Sequence, residues 1–175
     1  LDWVIPSFSG ERPVFKNREG QRVPQVTFRA RSESDWKPVT TDDIFKGKTV
    51  VVFSLPGAFT PTCSSTHVPR YNELAPAFFA SGVDKIVCIA VNDAFVMGAW
   101  ARDQKSAGKV RMMGDGSANY TKALGLEFDL SARNLGLRCQ RFSMLVDNGV
   151  VKTLNVEAPG KYEVSDAETM LKQMG

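Results

Sequence analysis

Cysteine and histidine are scarce in this 175-residue chain, which has three cysteines and one histidine. The cysteines, at positions 63, 88 and 139, are odd in number and form no CxxC pair. An odd number of cysteines argues against a disulfide framework, and the missing CxxC spacing argues against a CxxC redox pair. It also argues against a closed Cys/His zinc site, whose cysteine ligands usually come as such closely spaced pairs. We therefore expect free thiols and a reducing, cytoplasmic location.

Long apolar runs and a strong charge of one sign are also missing. No run approaches the roughly 20 residues of a transmembrane helix, and the net charge is only +3, with no basic block. We therefore expect neither a membrane partner nor a nucleic-acid partner. Isolated glycines such as Gly57, Gly114 and Gly116 form no phosphate-binding loop, and there is no metal, flavin or haem motif. The sequence thus predicts no cofactor.

The chain does have the size of one domain and a composition that can form a core, with 43% hydrophobic residues. Residues 49–55 and 85–91 are apolar, β-branched runs, typical of strands covered on both faces. Residues 26–30 alternate apolar and polar side chains, which indicates a half-buried strand. Residues 141–146 and 150–156 flank Asp147-Asn148-Gly149, a strong hairpin signal.

Helix signals lie between these strands. Apolar residues recur at helical spacing over residues 64–80, and Asn92 or Asp93 is placed to cap a second helix. Ser165 and Glu168 have the spacing of a capping box before a third helix. Alternating strands and helices followed by a hairpin predict an α/β fold with a central mixed β-sheet flanked by helices.

The segment that carries chemistry is residues 56–69, PGAFTPTCSSTHVP. It connects a predicted strand to a helix that begins near Pro61, where open α/β folds place their sites. With Thr60 as the N-cap, Cys63 falls in the first helical turn, where amide donors and the helix dipole favour a thiolate. The Thr60 hydroxyl could turn toward that sulfur. Position alone leaves two interpretations, a reactive thiol and a small buried cysteine at a helix start.

The pattern P-x-x-x-T-x-x-C, here Pro56, Thr60 and Cys63, resembles the active-site motif of the peroxiredoxins. The longer stretch PGAFTPTCSSTHVPRY is similar to the Prx5, or plant type II, subfamily. VNDAFVMGAW at residues 91–100 and RFSMLVDNGVV at residues 141–151 are similar to it as well, in the same order. The resemblance covers about residues 23–174, and residues 23–175 are predicted to be the peroxiredoxin domain. It leaves residues 1–22 as an N-terminal arm or a vector remnant, with no signal-peptide pattern.

The resemblance implies a thioredoxin-like fold and a thiol-dependent peroxidase that reduces hydrogen peroxide and alkyl hydroperoxides, with peroxynitrite as a further substrate. Cys63 matches the peroxidatic cysteine, which becomes a sulfenic acid. Thr60 matches the threonine that contacts the peroxide and the thiolate, Pro56 the proline that shields the pocket, and Arg141 the active-site arginine. A homodimer formed near the active-site loops is implied too.

The other two cysteines leave alternatives open. Cys88 lies on the strand face of Ile86 and Ala90 and is either a buried structural residue or, as in some relatives, a secondary thiol. Cys139 is predicted to be incidental, sharing a face with Arg141 if that stretch is extended.

Residues 161–166, where some relatives carry a resolving cysteine, have none. A one-cysteine cycle follows, with glutathione and glutaredoxin, or thioredoxin, as the reductant. Residues 164–171 resemble bacterial members that continue into a glutaredoxin domain. A separate glutaredoxin would then serve, or the chain is a piece of a fusion.

His67, one helical turn after Cys63, could form a nucleophile–base pair with it, but we expect a helix or interface residue. Asp93 and Asp115 are predicted turn and cap residues. Large aromatic residues are expected in the core or a dimer interface, namely Phe95, Trp100 and Phe142. Two other functions use the same thiol: a redox sensor, in which oxidation of Cys63 signals, and a thioredoxin-like reductase, against which the missing CxxC argues.

Overall fold

A computed structural model describes residues 18–32 and 34–175 of the chain. Most of the predicted N-terminal arm therefore lies outside the described residues, and its boundary at residue 22 stays a prediction. Within the described part, no helix has the length and apolarity needed to cross a membrane.

A five-stranded mixed sheet forms the centre of the fold, in the order β5-β4-β3-β8-β9. Its strands are β3 (Thr49–Ser54), β4 (Lys85–Ala90), β5 (Arg111–Gly114), β8 (Phe142–Asp147) and β9 (Val150–Val156). The strands β3, β4 and β5 are parallel to one another. The strand β8 pairs antiparallel with β3, and β9 pairs antiparallel with β8. Two small hairpins lie outside this sheet, formed by β1 (Thr27–Ser32) with β2 (Asp35–Thr40) and by β6 (Glu127–Asp129) with β7 (Leu137–Cys139).

The predicted hairpin around Asp147-Asn148-Gly149 is confirmed as the connection of β8 to β9. Asn148 and Gly149 both have positive φ, 47° and 78°. This is the conformation that a two-residue type I′ turn requires, and asparagine and glycine adopt it more easily than other residues.

Helices cover both faces of the sheet. They are α1 (Thr41–Phe45), α2 (Val68–Ala80), α3 (Ala94–Asp103), α4 (Asn119–Leu124) and α5 (Ala167–Gln173), with a π-helical turn at Cys63–His67 and a 3₁₀ turn at Ser131–Arg133. Asp93 caps α3 as predicted, accepting from the Val96 amide at 2.8 Å. The predicted capping box at α5 is wrong: Asp166, not Ser165, is the N-cap and accepts from the Thr169 amide.

The core divides into two clusters, because adjacent residues of a strand point to opposite faces. Val50 and Val52 of β3 pack with residues of α1, α4 and β1. Val51 and Phe53 pack with residues of α2, α3 and α5. The predicted α/β fold, with a mixed sheet flanked by helices, is therefore confirmed.

The pairing of β3 with β8 positions one functional residue directly. Ser54, the last residue of β3, lies opposite Phe142, the first residue of β8. The chain that enters β8 therefore passes beside the chain that leaves β3. This brings Arg141 next to the segment that begins at Leu55, although the two are far apart in sequence.

Candidate active site

The loop between β3 and the following helix is held by hydrogen bonds from outside the loop and within it. The Ala58 amide donates to Asn92 Oδ1 at 2.9 Å, and the Thr60 hydroxyl donates to the Gly57 carbonyl at 2.7 Å. Phe59 has a left-handed backbone, with φ of 61°. Such a conformation is costly for a bulky residue and persists only where surrounding contacts impose it.

Cys63 lies in the first turn of the helix that this loop leads into, which starts at Pro61. Its side chain is 1% exposed. The turn is π-helical, and the Val68 amide donates to the Cys63 carbonyl. Pro69 has no N–H to donate to residue 65, so regular α-helical bonding is interrupted at this place. The Ser64 hydroxyl accepts from the indole N–H of the buried Trp100 at 3.1 Å, which ties the turn to α3.

Arg141 contacts Cys63 close to the C-terminal end of the central strand β3. Its Nη2 donates to Cys63 Sγ at 3.4 Å, within hydrogen-bond range for sulfur. A guanidinium stays cationic and presents several donors in one plane. An opposite charge this close favours the anionic form of a thiol.

The predicted site residues Thr60 and Pro56 lie in the same loop. The predicted capping role of the Thr60 side chain is wrong, because its hydroxyl donates to the Gly57 carbonyl instead of accepting from a helical amide. Its oxygen lone pairs therefore remain able to accept a hydrogen bond. Pro56 is partly buried, and its carbonyl accepts from Arg138 Nη1 at 3.4 Å.

Arg138 is a contributor to this loop that the sequence analysis missed. Besides Pro56, its Nη1 reaches the Val91 carbonyl at 3.4 Å, and its Nε donates to the Leu135 carbonyl. A Cβ placed on Gly57 would lie 2.6 Å from that same Nη1. Glycine at position 57 therefore lets the guanidinium pack directly on the loop backbone.

His67 differs most from expectation. It lies in a helical turn, as predicted, but its side chain is fully buried: Nδ1 lies 2.8 Å from Arg141 Nη1 and Nε2 lies 3.1 Å from the Ser165 carbonyl. Burial, with the nearby Arg141 charge second, lowers the pKa of His67 to about 3. The imidazole is thus neutral, with Nε2 protonated. Its remaining lone pair points at Arg141, so it is not available as a base for Cys63. In the sequence, the spacing of one helical turn between Cys63 and His67 was the signal that both side chains lie on one face of the helix.

The other two thiols are free and buried, and within the described part of the chain neither accepts a hydrogen bond from a cationic side chain. Cys88 packs in the same cluster as Cys63, with Ile86 and Ala90 as predicted, and burial raises its pKa well above the usual value. Cys139 packs in the opposite cluster, where burial raises its pKa to about 12. Within the described residues, no group of three potential ligands could hold a metal ion.

The remaining predicted residues fall into two groups. Asp115 accepts from the amides of Tyr120 and Thr121, which confirms a turn and cap role. Trp100 and Phe142 are buried in the core, whereas Phe95 is 57% exposed and lies edge-on to Trp36.

Comparison with known proteins agrees with this geometry. The Redoxin family matches residues 18–171. The hybrid peroxiredoxin hyPrx5 of Haemophilus influenzae is 52% identical over 159 residues, which cover 89% of this chain but 66% of the hybrid, slightly under two thirds of its length. Peroxiredoxin-2C of Arabidopsis thaliana is 44% identical over 156 residues, covering 89% of this chain and 96% of that protein.

A solved structure extends the likeness to three dimensions. Reduced Prx3 of Vibrio vulnificus, crystallised in complex with hydrogen peroxide, superposes with a TM-score of 0.85 at 49% identity, covering 90% of this chain and 98% of that one. A fold and thiol site of this kind define a thiol-dependent peroxidase, an oxidoreductase. The chain belongs to the Redoxin family, among the peroxiredoxins similar to the Prx5, or type II, group. The predicted resemblance is confirmed.

Proposed function

We propose that Cys63 is the peroxidatic residue. Its thiolate attacks the terminal oxygen of a hydroperoxide, the O–O bond breaks, and the rest of the peroxide leaves as water or an alcohol after taking up a proton. The sulfur is oxidised to a sulfenic acid. The observation that carries the proposal is the 3.4 Å contact from Arg141 Nη2 to Cys63 Sγ.

The neighbouring groups take roles that fit their chemistry. Arg141 stabilises the thiolate and the negative charge that grows on the leaving oxygen, since fixed donors act strongly in a site with little water. The free lone pairs of Thr60 accept the hydroperoxide O–H and direct its terminal oxygen toward the sulfur. Pro56 and its loop exclude water.

Hydrogen peroxide and small alkyl hydroperoxides are the proposed substrates. Only 1% of Cys63 is exposed, so access favours compact molecules. Hydrogen peroxide is the molecule bound to the Vibrio vulnificus relative. Peroxynitrite is the further substrate that the Prx5 likeness suggests.

An external thiol reduces the sulfenic acid in this proposal, because the other two cysteines are poorly placed to do so. Cys88 and Cys139 are buried within strands, and residues 157–175 contain no cysteine. Glutathione with glutaredoxin, or thioredoxin, supplies the electrons, in the reducing cytoplasm. A coupled NADPH assay with each purified reductant system in turn identifies which one supports turnover.

A homodimer near the active-site loop completes the proposal. Phe59, which directly precedes Thr60, is 54% exposed, and Phe95 is similarly exposed. Aromatic residues are enriched at protein–protein interfaces relative to the rest of the surface. Sedimentation should show a dimer that Phe59→Ser weakens, whereas Phe79→Ser, on the exposed side of α2, should leave it intact.

Rapid mixing tests the central step. Reduced protein is mixed with one equivalent of hydrogen peroxide, and oxidation is followed by intrinsic fluorescence and mass spectrometry. Wild type and Cys88→Ser should oxidise far faster than free cysteine, and Cys63→Ser should not. Equal, slow oxidation of wild type and Cys63→Ser would refute the assignment.

A further inference from the structure

Glu157, just after β9, is a buried carboxylate that the proposed chemistry does not use. It is 3% exposed. Its oxygens accept from the amides of Glu163, Val164 and Ser165 and from the Ser165 hydroxyl, at 2.8–3.1 Å. A buried charge is costly unless hydrogen bonds of this kind compensate it. The carboxylate therefore fixes the backbone of residues 163–165.

The segment that Glu157 holds is the one that contacts His67. The Ser165 carbonyl accepts from His67 Nε2 at 3.1 Å and from the Tyr71 hydroxyl at 3.0 Å. Tyr162, in the same loop, places its ring 5.0 Å from the His67 ring and 5.6 Å from the Arg141 guanidinium carbon. One loop thus covers both members of the histidine–arginine pair.

The position of that carbonyl decides the tautomer of His67. A carbonyl only accepts, so it selects the tautomer with a proton on Nε2 and leaves a lone pair on Nδ1. That lone pair accepts from Arg141 Nη1 at 2.8 Å. The opposite tautomer would set an N–H against the guanidinium N–H and lose the contact.

We propose that Glu157 is a positioning residue for Arg141. By holding the Ser165 carbonyl, it keeps His67 in the Nε2–H form, and His67 in turn holds the guanidinium against Cys63. A second link is direct, since the Glu157 amide donates to the Arg141 carbonyl at 3.0 Å. The consequence for catalysis rests on the proposed role of Cys63, but the effect on His67 does not.

The single histidine of the chain makes the test specific, because all imidazole NMR signals belong to position 67. Nitrogen-15 spectra of the wild type at neutral pH should show Nε2 protonated and Nδ1 unprotonated. In Glu157→Gln, an amide NH₂ faces the loop amides, so we expect mixed tautomers. The rate of the reaction with hydrogen peroxide should fall about tenfold. Glu127→Gln, the same change on the exposed strand β6, should alter none of these.

A milder variant protects the test against misfolding. Ser165→Ala removes one donor to Glu157 but no backbone group, and it should shift the same signals in the same direction by less. If Glu157→Gln folds with wild-type circular dichroism and an unchanged His67 tautomer, or with a changed tautomer and an unchanged peroxide rate, the proposal is wrong. If Glu157→Gln does not fold, an unchanged Ser165→Ala spectrum overturns it. Slow peroxide reaction in the wild type would refute the proposed function alone, since the NMR result needs no peroxide.

Discussion

Cys63 and Cys88 share one core cluster and are equally inaccessible, yet their surroundings differ in one decisive respect. Cys88 lies in the middle of β4, paired in register with Phe53, and burial raises its pKa well above the usual value. Cys63 lies where the sheet ends, in contact with the Arg141 guanidinium. Among the described residues, the two thiols therefore differ in one direct contact: Cys63 accepts a hydrogen bond from Arg141, and Cys88 does not.

The position of Cys63 beyond the C-terminal end of β3 is what makes this contact possible. Inside β4 the backbone groups are occupied by neighbouring strands, and the flanking space is filled by apolar side chains. At the end of β3, a helix turn, a loop and the start of β8 converge. A charged side chain can therefore approach Cys63 while it makes a second hydrogen bond, as Arg141 Nη1 does with His67.

Removing the cation should make Cys63 resemble Cys88, and this is the largest effect we expect. Arg141→Ala should slow the reaction with hydrogen peroxide about a hundredfold, because a fixed donor to the reacting charge is lost. Stopped-flow rates at several peroxide concentrations give the second-order constant.

Two further variants define what the arginine supplies. Arg141→Lys keeps the charge but loses the planar guanidinium, whose two terminal nitrogens contact His67 and Cys63, and it should give an intermediate rate. Arg29→Ala removes an exposed arginine from β1 and should leave the rate unchanged. An Arg141→Ala rate equal to that of the wild type would remove the basis of the comparison between the thiols.

The neutral His67 predicts a dependence of stability on pH. The unfolded chain binds a proton at this residue near pH 6.5, whereas the folded chain does so only near pH 3. The unfolded state therefore binds more protons between these values, and the free energy of unfolding falls as the pH is lowered. At about pH 5 this lowers the stability by about 2 kcal/mol relative to neutral pH.

Urea unfolding of the wild type and His67→Gln at both pH values isolates this contribution. Other acidic groups titrate in both proteins, so only the difference between their pH profiles is informative. The wild type should lose about 2 kcal/mol more than the variant on acidification. Parallel profiles would mean that the histidine is not held neutral.

Thr60 allows a finer test of how the pocket directs the peroxide. Thr60→Val keeps the shape but removes the hydroxyl, and we expect a rate about tenfold lower, the size of one hydrogen bond made in the transition state. Thr60→Ser retains the hydroxyl and should stay near the wild-type rate. Equal rates for the valine and serine variants would exclude a direct role for this oxygen.

Local signals in the sequence predicted much of the fold. The apolar runs of β3 and β4, the Asp93 cap and the turn at Asn148-Gly149 each follow from neighbouring residues, and the structure confirms them. The strand β2 was not predicted, because its side chains are mostly exposed and show no apolar alternation. The motif around Cys63 predicted a reactive thiol at that position, and the resemblance to the peroxiredoxins suggested Arg141 as the active-site arginine.

What could not be predicted depends on contacts between distant parts of the chain. His67 and Arg141 are separated by 74 residues, and His67 and Ser165 by 98. The sequence shows His67 one turn from Cys63, but it does not show which residues fill the space beside the ring. Glu157 gave no signal at all, since its partners are three backbone amides and the Ser165 hydroxyl, and no motif links these groups to position 157.

Replacing the other thiols should have the smallest effect and gives the comparison its control. Cys88→Ala and Cys139→Ala each remove a buried sulfur that accepts no hydrogen bond from Arg141, so the rate of the first oxidation should stay within about twofold of the wild type, below the size of one net hydrogen bond. Both variants should lose stability, because each leaves a small cavity in a packed cluster. A large drop in peroxide rate for Cys88→Ala, with the fold intact, would show that the two thiols of this cluster act together and that the cation alone does not distinguish them.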